Sequence, residues 1–266
     1  MPLRSIFNCL AFLSCFWALL GSDSLLAQNP KQAFASYIEG SPSIDGYLNE
    51  AIWNQATPIA NFTQNFPTDT LAAQHQTKVM FLYDDQFLYI GIIAKSEGEN
   101  FVASSLRRDF RGTTTDNVSF LFDTFQDGVN AYHFGVNPYG AQRESLVSDG
   151  GINYSSFNPN WDVKWFSAGH IDGNTFVAEL AVPFYSLKYP EGCTQWNMQA
   201  YRFDLQSNER STWSRVDQNQ LLSNLGYLGV LNFEYPLPKN NNAYYFIPYT
   251  NLSKSVDYTT EPAINE

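Results

Sequence analysis

After residue 28, no stretch keeps its apolar residues on one helical face for more than about two turns. Apolar and polar residues alternate instead, cut at short intervals by Asp, Asn, Gly and Pro, which is the pattern of strands joined by turns. Val118, Phe120 and Phe122 fall on one face of a strand and Ser119, Leu121 and Asp123 on the other. After the Asp127-Gly128 turn, Tyr132, Phe134 and Val136 repeat the pattern, and Asn137-Pro138-Tyr139-Gly140 is a strong turn signal. Segments 78–83 and 86–94 flank Asp84-Asp85 as a hairpin; the second is apolar on both faces and belongs at the centre of a sheet. A further hairpin is expected from 161–168 and 175–182 around Asp172-Gly173-Asn174, with Pro183 ending it. Strands at 196–204 and 227–233 complete the set. Aromatic residues make up 16% of the chain, 21 Phe, 16 Tyr and 6 Trp, and favour sheet. These features predict an all-β protein, a β-sandwich or jelly roll of about ten strands around one aromatic core. One short helix is expected over 48–56, setting Ile52 and Trp53 against the body.

The two ends read differently. Arg4, the apolar run 6–20, the polar bend Gly21-Ser22-Asp23-Ser24 and Leu25-Leu26-Ala27 predict a secretory signal peptide over 1–27, cleaved after Ala27. Cleavage removes Cys9 and Cys15 and leaves Cys193 as the mature chain's one thiol, so no disulfide framework is expected. The chain is therefore expected in the periplasm, in the outer membrane or outside the cell. The sandwich is assigned to 28–235. Segment 236–242 (PLPKNNN) reads as a linker, and 243–252 as an aromatic strand with nothing after it to bury its surface. Residues 236–266 thus read as the start of a further region, and the sequence as the leading part of something longer.

Charge narrows the choice of ligand. The chain has 15 Lys+Arg against 26 Asp+Glu, a formal net charge of −11, and no basic cluster, which argues against nucleic acid. Arg4 and Asp23 cancel within the signal, so the mature surface stays acidic and suits Ca²⁺ or neutral ligands better than anions. Asp84, Asp85, Asp109, Asp116, Asp123 and Asp127 supply oxygens that suit Ca²⁺; the alternative is that they form turns. Three scattered histidines (His75, His133, His170) and one thiol argue against Zn²⁺. No G-x-S-x-G elbow, H-E-x-x-H pair or phosphate-cradling glycine loop occurs.

Ile44-Asp45-Gly46-Tyr47-Leu48-Asn49-Glu50-Ala51-Ile52-Trp53 resembles the opening signature of family 9 carbohydrate-binding modules, roughly I-D-G-x-L-[DN]-E-x-x-W. The resemblance continues through 79–89, 116–123 (DNVSFLFD), 132–140 (YHFGVNPYG), 161–165 (WDVKW), 178–187 (AELAVPFYSL) and 196–202, with Glu209 and Trp213 after them. It spans about residues 35–233 in order. With Arg107-Arg108-Asp109 and Asn137-Pro138 the chain looks like the N-terminal module of large bacterial envelope proteins, which carry a barrel-like region of unknown function behind it. The resemblance implies a β-sandwich that binds sugars, often beside structural Ca²⁺, and in some members attached to a glycoside hydrolase.

A sugar site needs exposed aromatic planes beside planar polar groups. Trp161 and Trp165, four apart, are expected on one face of a strand after the polar loop 149–160, which contains Tyr154 and Phe157. Either one or both form a stacking platform, or both belong to the core. Trp213 is a candidate for the rim; Trp53 and Trp196 read as packing residues. Asp123, His133, Arg143, Glu179 and Arg202 are expected on strand faces opposite the aromatic core, where they bind sugar hydroxyls or form ordinary ion pairs. The resulting expectation is a non-catalytic carbohydrate-binding module, with no catalytic residue nominated. Two alternatives stand beside it: a periplasmic or plug-like interaction domain of an outer-membrane barrel, and a part of a glycoside hydrolase.

Overall fold

Alternation does produce strands, thirteen of them, in a computed structural model that describes residues 30–239 together with 250 and 254. The chain divides into Met1–Lys31 and Gln32–Glu266, and the fold is that of the second unit. The expected signal peptide lies outside the described residues, as does the 243–252 strand apart from Thr250. The strands are β1 (Gln32–Tyr37), β2 (Thr63–Phe66), β3 (Thr77–Tyr83), β4 (Phe87–Lys95), β5 (Asn117–Asp123), β6 (Ala131–Val136) and β7 (Gln142–Val147). They continue as β8 (Phe157–Asn158), β9 (Phe166–Asp172), β10 (Thr175–Pro183), β11 (Gln195–Asp204), β12 (Glu209–Thr212) and β13 (Gly229–Phe233).

One hydrogen-bonded path runs β8-β7-β6-β5-β11-β13-β1-β3-β4-β10-β9, with β12 pairing β11 and β2. Only β1 pairs in parallel, with β13 and β3, which makes the sheet mixed. The path folds over so that its two halves face each other as a β-sandwich. Phe81 of β3 meets Phe120 of β5 edge to face at 6.1 Å between centroids. Inward residues at every second position fill the space: Val118, Phe120 and Phe122 on β5, Phe134 and Val136 on β6, Ile90 and Ile92 on β4, Phe176, Ala178 and Leu180 on β10. Trp196 is fully buried among them, 4.9 Å from the Phe233 ring. The first expected hairpin is β3-β4, and β4 does lie centrally, between β3 and β10.

Three expectations need correction. The helix over 48–56 is a 3₁₀ turn, Ala51–Gln55, closed by Trp53 N–H to Glu50 O and Ala56 N–H to Trp53 O; five residues are too few to repay α-helix nucleation. Trp161 to Trp165 form no strand, and β9 begins only at Phe166. The segment's carbonyls are taken by side chains instead of a ladder: Val163 O by Arg108, Lys164 O by Ser186 and Trp165 O by Gln142. Leu237, in the expected linker, is buried in the core and donates its N–H to Cys193 O at 2.9 Å.

Backbone contacts join the loops to β9. Gly46 and Gly140, both with positive φ, approach Gly169 so closely that a Cβ on Gly169 would lie 2.6 Å from Gly140 N and from Pro138 O. Backbone cannot yield there as a flexible side-chain tip would. Gly169→Ala is therefore expected to lower stability by about 1–3 kcal/mol, measurable as a fall in thermal midpoint, whereas Ala at Gly173, whose Cβ would meet nothing within 4 Å, meets only its own φ of +55° and is expected to cost less.

Candidate functional site

Loops cover the outer faces of the strands, and this cover decides what the candidate residues do. Glu179 of β10 points outward, as expected, yet is fully buried. Its Oε2 accepts from the N–H groups of Asp45 and Gly46 at 3.0 and 2.9 Å, and its Oε1 from the Trp53 indole at 3.1 Å. Opposite Glu179 in register, Gly91 has no side chain, and that leaves room for Leu48 and Trp53. The Asp-Gly…Trp signature is thus a cover over β4 and β10 held by one carboxylate. Burial pushes that carboxylate up to about 7, against the opposing pull of its donors.

The other outward polar residues are similarly occupied. Asp123 accepts from Asp127 and Gly128 N–H and from Asn197 Nδ2 at 3.0–3.2 Å, closing the β5-β6 turn. His133, fully buried, pairs with Ser145 Oγ at 3.0 Å and Tyr201 OH at 2.9 Å. Burial, with Arg143 nearby, pushes its pKa well down, so the ring is neutral. Arg202 corrects the reading outright, since it shares the inward parity of Trp196, Met198 and Ala200. It lies at one end of the core, donating to Asp204 Oδ2 at 3.1 Å and Thr77 Oγ1 at 3.2 Å. Glu179 and Arg202 share no partner and do not pair.

The tryptophans are also corrected. Trp165 and Trp213 are each 3% exposed, so neither offers an open plane. Trp165 donates to Glu144 Oε2 at 3.2 Å, and Glu144 turns inward and also binds Arg108. Trp161 is half-buried, leaning on Tyr132 and Phe134 at 5.3 and 5.8 Å.

Of the predicted residues, Arg143 reaches an open cavity. A groove of about 260 Å³ lies on the outer face of β7, β11 and β12. Its aromatic lining is Tyr154, Phe157, Tyr201 and Phe203; its cations are Arg143 and Arg210; Thr113, Gln220 and the segment Leu221-Leu222-Ser223 complete it. The floor follows from register. Arg143, Gly135, Ser119 and Tyr201 form one cross-strand rung, and the small middle pair makes a hollow over which the Arg143 stem lies. Phe203 and Arg210 are opposed on β11 and β12. The loop carrying Tyr154, 78% exposed, forms one wall and 220–223 another. Tyr201, Phe203 and Arg210 went unrecognised in the sequence, although an aromatic pair alternating out of phase with Trp196, Met198 and Ala200 was the available signal.

Among the described residues no group of three or more His, Cys, Asp or Glu is placed to hold a metal. Asp84 and Asp127 accept backbone N–H groups of their own turns, and Asp116 those of Val102 and Leu205.

No family model matches the chain, and no curated protein does. Solved structures do. A family 9 carbohydrate-binding module from Caldicellulosiruptor kristjanssonii in complex with cellotriose aligns at a TM-score of 0.53 and 18% identity, over 82% of this chain and all of that one. A candidate carbohydrate-binding protein from Bacteroides uniformis aligns at 0.60 and 15% identity, over 77% of this chain and all of that one. A Caldicellulosiruptor kristjanssonii family 9 module in complex with glucose aligns at 0.50 and 18% identity, over 79% and 98%. The likeness is one of fold: the chain has the β-sandwich of family 9 carbohydrate-binding modules, as its signature implies.

The Glu179 environment has a pH consequence. Its folded pKa of about 7 lies above the ordinary 4.5, so the folded state holds the extra proton between those values. This group's contribution to stability is complete below pH about 4.5 and lost as pH rises through about 7. Glu179→Gln replaces one of two accepting oxygens by an NH₂ that faces an N–H donor, and is expected to cost about 1–3 kcal/mol. Thermal midpoints from pH about 4.5 to about 8 should fall more steeply in the wild type than in the variant.

Proposed function

We propose that the protein binds carbohydrate without hydrolysing it, in the groove over β7, β11 and β12. The carrying observation is the groove's composition: four aromatic rings beside guanidinium and amide donors in one hollow of about 260 Å³. Sugar rings present C–H faces to aromatic planes and hydroxyls to such donors. The volume lies just below the ~300–1,000 Å³ usual for ligand pockets, which suits a short saccharide segment. The likeness of fold to modules solved with cellotriose and glucose supports the reading. Glycoside hydrolysis calls for two carboxylates about 5–10 Å apart, and none lines this groove. The signal-like pattern over 1–27 and the acidic, thiol-poor composition after it support an exported module. The resemblance to envelope proteins supports a place ahead of a membrane-associated barrel region, in polysaccharide binding or catabolism.

Isothermal calorimetry against mono- and oligosaccharides tests the reading. At least one saccharide is expected to bind. Tyr154→Ala is expected to weaken it about tenfold, near 1.4 kcal/mol, without moving the thermal midpoint, because the side chain is 78% exposed. Absence of heat with every saccharide, or binding indifferent to Tyr154, removes the groove from consideration.

A further inference from the structure

We propose that the groove selects an acidic sugar, one bearing a carboxylate or sulfate, and that Arg143 and Arg210 hold the anionic group. The inference rests on the carbohydrate-binding reading and narrows its ligand class. Two guanidiniums, from β7 and β12, line one cavity that no carboxylate lines. Among the described residues neither forms an ion pair, while Arg108 is paired with Glu144 and Asp162, Arg202 with Asp204, and Arg215 with Asp69 and Asp217. In a chain with 26 acidic residues against 15 Lys+Arg, a hollow lined by two cations and no carboxylate departs from the general balance.

Geometry supports the same conclusion. Arg143 stands over the Phe110 ring at 5.8 Å and Arg210 over the Phe66 ring at 4.9 Å. Each ring supports its guanidinium from one side, and the planar fork of donors matches the edge of a carboxylate or sulfate. The groups behind the groove add no compensating negative charge: His133 is neutral, and the Tyr201 hydroxyl is taken up by it. A wholly neutral ligand would leave both cations uncompensated inside a partly desolvated hollow; an anionic one neutralises them there.

Calorimetry on the whole chain with three matched ligands decides the matter: a uronate oligosaccharide, its carboxyl-reduced neutral counterpart, and that counterpart sulfated. The uronate or the sulfated form is expected to bind at least about tenfold more tightly than the neutral one, by an advantage that shrinks from about 0.05 to about 0.5 M NaCl. The stronger of the two identifies the group held. Arg143→Gln and Arg210→Gln should abolish the advantage, because acidic binding falls by a larger factor than the neutral binding to which both side chains also donate. Arg143→Lys and Arg210→Lys keep the charge and lose the fork, so a reduced advantage is expected from them, and they decide the question if a Gln variant does not fold. Equal affinities for acidic and neutral forms, or an advantage indifferent to both residues, overturn the inference and leave carbohydrate binding standing. No binding of any of the three, alongside a silent saccharide panel, overturns both.

Discussion

A strand buried on both faces must find a hydrogen-bond partner for every polar side chain it carries, because an unsatisfied buried group costs about 1–3 kcal/mol or more. In this sandwich the inward faces are filled by aromatic and branched residues, and loops lie over much of the outward faces. Several outward polar residues are consequently matched to a loop or to a neighbouring strand. Glu179 receives two backbone N–H groups and an indole from the loop that covers it, Asp123 receives the turn that follows its own strand, and His133 is held between Ser145 and Tyr201. Glu179 and Asp123 fasten loop to sheet, and His133 ties three strands together. Their chemistry is that of a binding site, but the bonds are spent within the chain.

The groove exists where this cover is incomplete. On the rung Arg143-Gly135-Ser119-Tyr201 the two middle residues are too small to fill the outer face. The flanking loops rise on either side without closing over it: Tyr154 stays exposed, and Leu222 packs down into a small cluster with Leu121, Val147 and Tyr201. A hollow with an apolar base and polar rims results from local residue size and loop height.

Much of the fold was legible because alternation reports burial directly: the faces of β5, β6 and β10 and the central place of β4 follow from it. The strands that went unread, β7 and β12 above all, have polar residues on their inward faces. Glu144 faces Trp165, and Glu209 binds Gln64 Nε2 and Gln74 N–H, so hydrophobic alternation is absent where the strand is nonetheless buried. Sequence spacing also misjudged the tryptophans. Trp161 and Trp165 have strand-like spacing in a segment whose carbonyls bond to side chains, and Trp213 follows a strand that period-two reasoning did not register. The site was less legible than the fold because its floor is defined by Gly135 and Ser119, whose contribution is the absence of bulk.

The arginines show why residue type and strand face do not by themselves distinguish a fastening from a binding group. Arg202 and Arg143 both belong to strands paired on both sides, and both were candidates for ligand contact. Arg202 lies on the inward parity at the end of the core, where Asp204 and the Thr77 hydroxyl take its donors; removing it would strand a carboxylate rather than a ligand. Arg143 lies one strand from the edge over a glycine, with an aromatic ring as its support and a cavity before it. The net charge of −11 describes the long-range field, which disfavours anions approaching most of the surface. Within a hollow the nearest charges dominate, since screening limits the distant ones to about 8–10 Å at ordinary salt. An acidic protein thus keeps a locally cationic groove as long as no loop brings a carboxylate to its rim.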